Sequence, residues 1–263
     1  MMRLRVLGCG SSAGVPRVGL GWGVCDPANP KNRRRRCSVL VERSELSGVT
    51  RVLVDTTPDV RVQLLDADVP DLDGILYTHA HADHLHGIDD VRTLVMKREA
   101  LLDTYMDDPT SAVVRRAFDY LFECPAGSLY PPLLRERRIS AGNRVVVEGR
   151  AGPVAALPML FNHGEIDALG FRFGDVAYTP DLVSISPESA AMLEGLDVWI
   201  VDALRYREHP THFCVADALA WISKLKPRRA ILTNLSSEVD FETLRRELPP
   251  GVEPAFDGMV VAI

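Results

Sequence analysis

The sequence predicts an α/β fold in which two mixed β-sheets pack face to face and helices cover the outer faces, an αββα sandwich. Two observations predict it. Short apolar segments alternate with glycine, proline and aspartate turns, and longer segments with helical spacing come later in the chain. No internal repeat and no low-complexity linker divides the 263 residues, so we expect a single domain over residues 1–263.

The first half of the chain contains four predicted strands and one predicted helix. The strands are the apolar, β-prone segments at residues 3–7, 38–41, 51–54 and 74–78. A helix is predicted over residues 60–65, where Thr57 supplies a capping hydroxyl and Pro58 suits the first turn. Residues 93–137 mix helical and apolar segments, and we expect a helical insertion there that flanks the active site.

The second half contains six predicted strands and two predicted helices. The strands are the apolar segments at residues 144–148, 154–160, 169–173, 176–179, 198–202 and 229–233. Ser186, followed by Pro187 and an acidic residue, marks the start of the first helix. The second helix is predicted over residues 214–225 and ends before Pro227.

Charge and hydropathy exclude several classes of protein. Lys and Arg total 30 against 36 Asp and Glu, and the net charge of -6 argues against general nucleic-acid binding. Four consecutive arginines at residues 33–36 could seat a phosphate, although a solvated charge run is the simpler interpretation. The sequence shows neither a signal-peptide pattern nor an apolar run of about 18 residues, so we expect a cytoplasmic protein without a membrane partner.

The cysteines give no sign of a disulfide framework. Cys9, Cys25, Cys37, Cys124 and Cys214 are odd in number, scattered and never spaced as Cys-x-x-Cys. This pattern argues against disulfide pairing and against a thiolate zinc site. We interpret the cysteines mostly as small core residues, and the role of Cys25 stays open.

The strongest chemical signal is a histidine-rich window at residues 78–87. Its sequence, Thr-His-Ala-His-Ala-Asp-His-Leu-His-Gly, holds four of the seven histidines and an aspartate. The apolar segment before it predicts a buried strand that delivers these side chains onto a loop. Neutral imidazole and carboxylate suit zinc, manganese or iron, whereas crowded imidazoles without an ion would repel one another as they charge. We therefore expect His79, His81, Asp83 and His84 to bind metal.

Two further candidate ligands lie downstream of this window. His163 follows an apolar strand in Phe-Asn-His-Gly, and Asp181 follows another strand in Tyr-Thr-Pro-Asp. The combination resembles the metallo-β-lactamase superfamily, whose metal motif is His-x-His-x-Asp-His followed by a downstream histidine and a bridging aspartate. The resemblance implies an enzyme that uses two divalent metal ions, zinc or manganese.

The resemblance also implies which residues hold each ion. It assigns one ion to His79, His81 and His163, a second ion to Asp83 and His84, and the bridging position to Asp181. Other segments, at residues 8–16, 32–38, 54–61 and 86–92, look like the PhnP-like branch of the superfamily. That branch includes the phosphoribosyl cyclic phosphodiesterase of phosphonate breakdown.

The function implied by this branch is hydrolysis of a small phosphodiester, a nucleotide or sugar phosphate with cyclic esters included. A hydroxide shared by two ions about 3.5–4 Å apart would be the nucleophile. Asp83 would then be a catalytic residue as well as a ligand. His212, in Glu-His-Pro-Thr-His-Phe, is placed like the histidine that protonates the leaving group, with helix capping or packing as the alternative. Relatives are often dimeric, so the resemblance also implies a homodimer.

Two other functions stay open. The first is an RNA-processing nuclease similar to ribonuclease Z, although the chain has no long basic, glycine-rich arm for tRNA. The second is a degenerate member that binds a nucleotide or metal without turnover. Asn234 supports the second alternative, because relatives usually carry a ligating histidine where this chain reads Thr-Asn-Leu-Ser-Ser. An amide oxygen makes Asn234 a weak ligand, and we expect weaker occupancy of the second ion.

Several residues near the predicted site have a supporting role or none. A structural zinc of some relatives is expected to be missing, because only Cys25 remains of its cysteines and Ser237 replaces its histidine. Asp55 and Asp202 end strands, where they either bond the ligating imidazoles or cap the strands.

The two remaining histidines have weaker signals. His86 is expected to support the metal loop as an orienting residue rather than as a ligand. His209 is expected to lie on the surface, although it precedes His212 by only three residues. Neither residue is predicted to bind metal.

Overall fold

The computed structural model describes residues 1–124, 127 and 129–263. The strands in this part of the chain are β1 Met2–Gly8, β2 Ser38–Glu45, β3 Gly48–Val54, β4 Gly74–Leu76, β5 Leu102–Met106, β6 Leu134–Arg138, β7 Val145–Val147, β8 Val154–His163, β9 Ile166–Phe173, β10 Val176–Thr179, β11 Val198–Asp202, β12 Arg229–Thr233, β13 Val252–Pro254 and β14 Val260–Ala262. The α-helices are α1 Val60–Asp66, α2 Ala82–Leu85, α3 Arg92–Arg98, α4 Asp108–Phe118, α5 Pro187–Met192, α6 Val215–Leu225 and α7 Phe241–Glu247. Among these described helices, none has the length and apolar character needed to cross a membrane.

The strands form two sheets of seven strands each. The first sheet has the order β14-β1-β2-β3-β4-β5-β6 and is antiparallel from β14 to β3 and parallel from β3 to β6. The second sheet has the order β13-β12-β11-β10-β9-β8-β7 and is parallel from β13 to β10 and antiparallel from β10 to β7. Both sheets are mixed and helices flank them, so the predicted αββα sandwich is confirmed.

Alternation along the strands divides the apolar side chains between two layers. In β3, Val52 and Val54 face the core between the sheets, whereas Leu53 packs with the helices outside the first sheet. In β11, Ile200 faces the same inner core and Trp199 packs on the opposite side of the second sheet. Burial of one such side chain contributes about 1.5–3 kcal/mol. The inner core therefore fixes the separation of the sheets and of the strand ends that carry the site.

The region at residues 93–137 differs from its prediction. It contains α3 and α4, but β5 and β6 also lie in it and extend the first sheet by parallel pairing beyond β4. Leu102, Thr104 and Met106 are buried and alternate with half-buried neighbours, which is the pattern of a strand. Five residues are too few for periodicity alone to distinguish a strand from a helical turn. Residues 125, 126 and 128 of the predicted insertion lie outside the described residues.

Two helix starts can be compared with their predictions. The hydroxyl of Thr57 accepts the N–H of Asp59 in the turn before α1, and Asp59 is the residue that precedes the helix. The prediction that Thr57 caps α1 is therefore wrong by two residues. At α5 the prediction is confirmed, since the N–H of Ser189 donates to the hydroxyl of Ser186 at 3.1 Å.

The polar residues of interest lie at the carboxyl ends of parallel strands. Asp55 follows β3, His79 lies three residues after β4, Asp181 lies two residues after β10, and Asn234 follows β12. Asp202 is the last residue of β11. Parallel strands bring their carboxyl ends to one edge of a sheet, so residues distant in sequence meet there.

Candidate metal centre

The histidine-rich window folds as a loop followed by one short helix. After β4, the chain places His79 in the interior and then begins α2 immediately after His81. The first turn of α2 holds Asp83 and His84, and the side chain of His84 is buried. His86 leaves the cluster, because it is exposed and its ring lies edge-on to Phe118 of α4. Its predicted role in supporting the loop stays a prediction.

The predicted ligands come together in three overlapping groups. In each group the candidate ligand atoms lie within 4.8 Å of one another. The groups are His79, His81 and His163; His79, His84 and Asp181; and His163, Asp181 and His212. Asp83 lies beside them, with its Oδ2 3.5 Å from Nε2 of His84. The structure thus unites all six residues that the sequence predicts as metal ligands.

Two buried atoms at the centre of these groups fit a bound cation. Among the described residues, His79 Nε2 is buried without a hydrogen-bond partner, and the buried Oδ2 of Asp181 lies 3.0 Å from Nε2 of His84, itself a candidate ligand atom. Buried polar atoms in native proteins almost always have a partner, so such atoms call for an explanation. An imidazole lone pair and a carboxylate oxygen that converge on one point are the donors that zinc and manganese take.

The charge balance of the centre also favours a cation. Burial and the neighbouring His84 lower the pKa of His79 well below its usual range, which keeps its imidazole neutral, as a ligand must be. Burial likewise lowers the pKa of His163. His84 differs, since Asp181, Asp83 and Asp55 overcome the effect of burial and raise its pKa well above the usual value. The carboxylates around His84 therefore require positive charge.

Asp55 orients two of the ligating histidines. Its Oδ2 lies 2.8 Å from Nδ1 of His84 and accepts the hydroxyl of Thr78, also at 2.8 Å. The hydroxyl has one hydrogen, which goes to Asp55, so it accepts from Nδ1 of His79 at 2.9 Å. The lone pair of His79 is then on Nε2, the atom that faces the cluster. Asp55 thus bonds a ligating imidazole, one of the two roles predicted for it.

Thr211 orients the third histidine of the first group. His163 is the last residue of β8, and its Nδ1 donates to the carbonyl of Thr211 at 2.7 Å. A carbonyl only accepts, so Nδ1 carries the proton and Nε2 presents its lone pair. That lone pair lies 3.3 Å from Nδ1 of His81, which places both nitrogens around one point. The sequence analysis predicted no role for Thr78 or Thr211, because a threonine next to a histidine in sequence or in space carries no metal-ligand signal of its own.

Asn234 behaves differently from its prediction. Its amide Nδ2 donates to Asp181 Oδ1 at 3.0 Å and to Asp202 Oδ1 at 3.1 Å. Burial acts in the opposite direction, but His84 lowers the pKa of Asp181 well below its usual range; this ionised carboxylate only accepts, so the nitrogen of Asn234, and not its oxygen, faces it. The weak-ligand role predicted for the amide oxygen of Asn234 is therefore corrected to that of a hydrogen-bond donor. Its φ of 60° lies in the left-handed region, which asparagine tolerates.

His212 lies at the mouth of the centre. Its Nδ1 is 2.9 Å from Asp202 Oδ2 and 3.4 Å from Asp181 Oδ1, and its side chain is 16% exposed. Burial lowers its pKa, but Asp202 and Asp181 outweigh this effect and raise the pKa of His212 to about 9. At neutral pH the ring therefore carries a proton that it can give away. His209 lies nearby, with its ring centroid 5.1 Å from that of His212.

The arginine run is largely structural. Arg34 is 1% exposed, and its Nη1 donates to the carbonyls of Ser236 and Val239 at 3.1 and 2.8 Å. The same nitrogen lies 3.9 Å from the sulfur of Cys25. A solvated charge run is therefore wrong for this residue. The guanidinium thus connects the N-terminal loop to the loop after β12. That loop contains Ser237, which stands where some relatives carry a histidine of a structural zinc site.

Comparison with known proteins agrees with this geometry. Residues 50–233 match the family model described as a beta-lactamase superfamily domain. The chain belongs to the metallo-β-lactamase superfamily. Within it the chain is PhnP-like, because it is 35% identical to a crystal structure described as a new diphosphatase from the PhnP family, with a TM-score of 0.89 and coverage of 100% of this chain and 98% of that one.

More distant structures share the superfamily fold. Zinc-bound PqqB from Methylobacterium extorquens is 15% identical, with a TM-score of 0.76 and coverage of 99% of this chain and 100% of that one. The short form of human tRNase Z is 17% identical, with a TM-score of 0.64 and 99% of both chains covered. A curated protein named octanoyltransferase, from Porphyromonas gingivalis, is 31% identical over 266 residues. The alignment covers 100% of this chain but 52% of that protein, so the chain spans about half the length of this relative.

Family membership and the site together support a metal-binding hydrolase. The metallo-β-lactamase fold implies a divalent metal, and the histidine and aspartate groups could provide its ligands. The predicted PhnP-like membership is confirmed.

Proposed function

We propose that the protein is a metal-dependent phosphodiesterase that hydrolyses a small phosphodiester, a nucleotide or sugar phosphate with cyclic esters included. One observation carries the proposal: His212, held at 2.9 Å by Asp202, lies beside the cluster in which the unpartnered His79 Nε2 and the buried Asp181 Oδ2 fit a cation. Phosphodiester hydrolysis requires both an activated water molecule and a proton for the leaving group.

The ligand set divides over two ions in this proposal. His79, His81 and His163 would hold the first ion, Asp83 and His84 would hold the second, and Asp181 would serve both. Bound divalent ions neutralise charge on the phosphoryl oxygens and lower the pKa of a water molecule towards about 7. The protein contributes fixed geometry, since Asp55, Thr78 and Thr211 hold the imidazoles in the ligating tautomer.

His212 supplies the proton in the second half of the reaction. The leaving oxygen of a phosphodiester departs as an alkoxide unless an acid protonates it as the bond to phosphorus breaks. His212 is held at the edge of the cluster and is partly exposed, so a substrate bound there can reach its ring. Asp83, with its carboxylate beside His84, is proposed to help hold the attacking water as well as the second ion.

One comparison supports hydrolysis at phosphorus. The PhnP-family relative is described as a diphosphatase, and that name implies cleavage at phosphorus in the protein it describes. Octanoyl transfer is left out of the proposal, because the chain spans about half of the protein that carries this name. The net charge of -6 counts against a long RNA as the substrate.

A substrate panel tests this proposal. Metal-loaded protein is assayed with bis-p-nitrophenyl phosphate, cyclic nucleotides, a precursor tRNA and a β-lactam, each with added manganese or zinc. We expect turnover of the small phosphodiesters, and expect Asp181→Ala to abolish it. Asp175→Ala is the matched control, since Asp175 is an exposed aspartate in the turn before β10. Silence on every small phosphodiester would contradict the proposal, and turnover of the tRNA alone would replace it with a nuclease.

A further inference from the structure

An aromatic residue lies beside the candidate ligands on the exposed side of α2. His81 is exposed and Asp83 is half-buried, so the centre opens to solvent on this side. His86 is also exposed, and its N–H continues the turn of α2 by donating to the carbonyl of Ala82 at 3.0 Å. Residues three apart on a helix are neighbours, with about 5–6 Å between their Cβ atoms. His86 is therefore a neighbour of Asp83 at the rim of the centre.

A second ring, from another element, completes this surface. Phe118 is the last residue of α4 and lies edge-on to His86, with ring centroids 5.8 Å apart and an interplanar angle of 71°. Phe118 is half-buried and His86 is exposed, so both rings keep surface that is open to solvent. We call these two residues the aromatic rim.

The aromatic rim is joined to the metal centre at a second point. Tyr120 lies two residues after Phe118, and its phenol donates a hydrogen bond to Asp89. Asp89 belongs to the short 3-10 helix Ile88–Val91, which directly follows the histidine-rich window. The contact between Tyr120 and Asp89 and the contact between Phe118 and His86 therefore connect the same two segments. They fix the end of α4 relative to the metal centre.

The acidic residues beside the aromatic rim are paired. Asp89 lies 2.7 Å from Nη2 of Arg92, and Asp119 lies 3.1 Å from Nε of Arg115. Pairing weakens the repulsion between these carboxylates and an anionic phosphodiester at the adjacent centre. The two rings offer a face and edges for stacking, which suit a flat, uncharged group. The base of a nucleotide is such a group, and it is joined to a phosphodiester.

We propose, on the basis of the proposed function, that the aromatic rim of His86 and Phe118 binds the base of the substrate by stacking, so that the enzyme prefers a nucleotide to a phosphodiester without a base. Stacking on an aromatic side chain tolerates every base, because each base has a π-face. The two rings bind the substrate and take no part in bond cleavage. Their loss should therefore raise KM and leave kcat unchanged.

The competing role for the aromatic rim is support of the histidine-rich window. In that role the contact between His86 and Phe118 only packs the window against α4. Loss of the support would displace the ligands, so metal content and kcat would fall for every substrate. A binding role instead affects KM, and only for substrates that carry a base.

Two cyclic phosphodiesters that share a five-membered ring test this inference. Adenosine 2′,3′-cyclic phosphate carries a base, and glycerol 1,2-cyclic phosphate does not. In metal-loaded Phe118→Leu we expect KM for the adenosine ester to rise about 10-fold, while KM for the glycerol ester and both kcat values change less than about 2-fold. His86→Ala alters an exposed residue and should show the same pattern, which covers the case in which Phe118→Leu does not fold. Metal content should stay at the wild-type value in both variants.

Phe256→Leu is the matched control. Phe256 is half-buried and makes a comparable edge-on contact with Phe241, with ring centroids 6.1 Å apart. Its replacement should leave both KM values unchanged. Equilibrium dialysis with adenosine 3′-monophosphate measures base binding without turnover, and both rim variants should bind this nucleotide about 10-fold more weakly than the wild type.

The outcomes separate this inference from the proposed function. Equal rises in KM for the two esters, or no rise for either, would overturn base binding and leave the proposed function standing. Loss of metal, or equal falls in kcat on both esters, would overturn base binding as well, because the rings would then support the histidine-rich window. Inactivity of the wild-type protein on both esters would overturn the proposed function itself. In that case, undiminished binding of adenosine 3′-monophosphate by both rim variants would also overturn base binding.

Discussion

The two sides of the metal centre differ in what their outer partners do. On the first side, the hydroxyl of Thr78 and the carbonyl of Thr211 each accept a hydrogen bond from Nδ1 of a histidine, which leaves the lone pair of that histidine on Nε2, facing the centre. On the second side, Asn234 donates to Asp181 and occupies one of the two carboxylate oxygens. A group that accepts a hydrogen bond from an imidazole makes that imidazole a stronger metal ligand. A group that donates a hydrogen bond to a carboxylate occupies an oxygen that could otherwise bind metal.

This difference teaches that two ions in one centre need not be held equally. The first position has three imidazoles and Oδ2 of Asp181, while the second has His84, the half-buried Asp83 and the same shared oxygen, which lies 3.0 Å from Nε2 of His84. We expect the second ion to bind more weakly. The changes below either remove the difference or make it larger.

The largest effect is expected at the shared residue. Asp181→Ala removes the carboxylate that serves both positions, so both ions and at least about 10³-fold in kcat should be lost. Elemental analysis after desalting and a phosphodiester assay measure these two losses. Asp175→Ala should keep wild-type metal content. Retention of one tightly bound ion by Asp181→Ala would show that Asp181 does not join the two sides.

The next effect concerns the loop that follows Asn234. Arg34→Met leaves the carbonyls of Ser236 and Val239 buried without their donor, and we expect a loss of about 2–4 kcal/mol in the free energy of unfolding. Urea denaturation measures this loss. Arg33→Met is the control, because Arg33 is exposed and stacks on Trp22 at 5.2 Å, which is worth about 0.5–1 kcal/mol. Equal destabilisation by both variants would contradict the buried role of Arg34.

Asp55 offers a way to weaken both sides at once. Asp55→Asn keeps a residue that tolerates the φ of 66° but cannot accept from both Thr78 and His84 as a carboxylate does. We expect metal affinity at both positions to fall about 10- to 100-fold. Thr78→Val should instead weaken mainly the first position, since the hydroxyl bonds His79. Competition with a chelator measures each affinity, and a first ion unaffected by Thr78→Val would contradict the relay.

Replacing the donor should reduce the difference between the sides. Asn234→His frees Oδ1 of Asp181 and adds an imidazole, so we expect the second ion to bind about 10-fold more tightly. Metal content after prolonged dialysis checks this outcome. Asn143→His is the control, because Asn143 is an exposed residue whose amide bonds only Ser140 among the contacts described for its side chain. Unchanged retention of the second ion would show that Asn234 does not limit it.

The smallest expected effect is on the pH dependence of stability, through Asp240, which lies near the Arg34 contact. Burial acts in the opposite direction, but hydrogen bonds from Thr243, Asp26 and Asn32 hold the pKa of Asp240 at about 2. Because this lies below the ordinary value of about 3.9, the ionised form stabilises the fold above about pH 4 and loses that effect as the pH falls through 2. Asp240→Asn still caps α7, so urea midpoints at pH 5 and pH 2.5 should differ less in the variant than in the wild type. Identical differences would contradict this prediction.

The sequence allowed the fold and the ligands to be predicted for clear reasons. Long apolar segments have a periodicity typical of strands, and they form strands in the structure. The candidate ligands of the histidine-rich window are close together in sequence. The structure of residues 93–137 was harder to predict. The strand β5 is stabilised by parallel pairing with β4 and β6, and the local sequence pattern does not show that pairing.

The orientation of individual side chains was the other feature that could not be predicted from the sequence. Asn234 has an acceptor and donors on one amide, and which of them faces the centre depends on Asp181 and Asp202, both distant in sequence. Arg34 looked like one of four solvated arginines, although the carbonyls of Ser236 and Val239 draw it into the interior. Both outcomes follow from the requirement that buried polar groups find partners, a requirement that acts only in three dimensions.

The central claim is that the two ion positions are unequal, and calorimetric titration of manganese or zinc into metal-free wild-type protein tests it most directly. The account predicts two binding events, with the second weaker by at least about 10-fold, as expected from the loss of one strong ligand. Two events of equal affinity, both retained through dialysis, would contradict it.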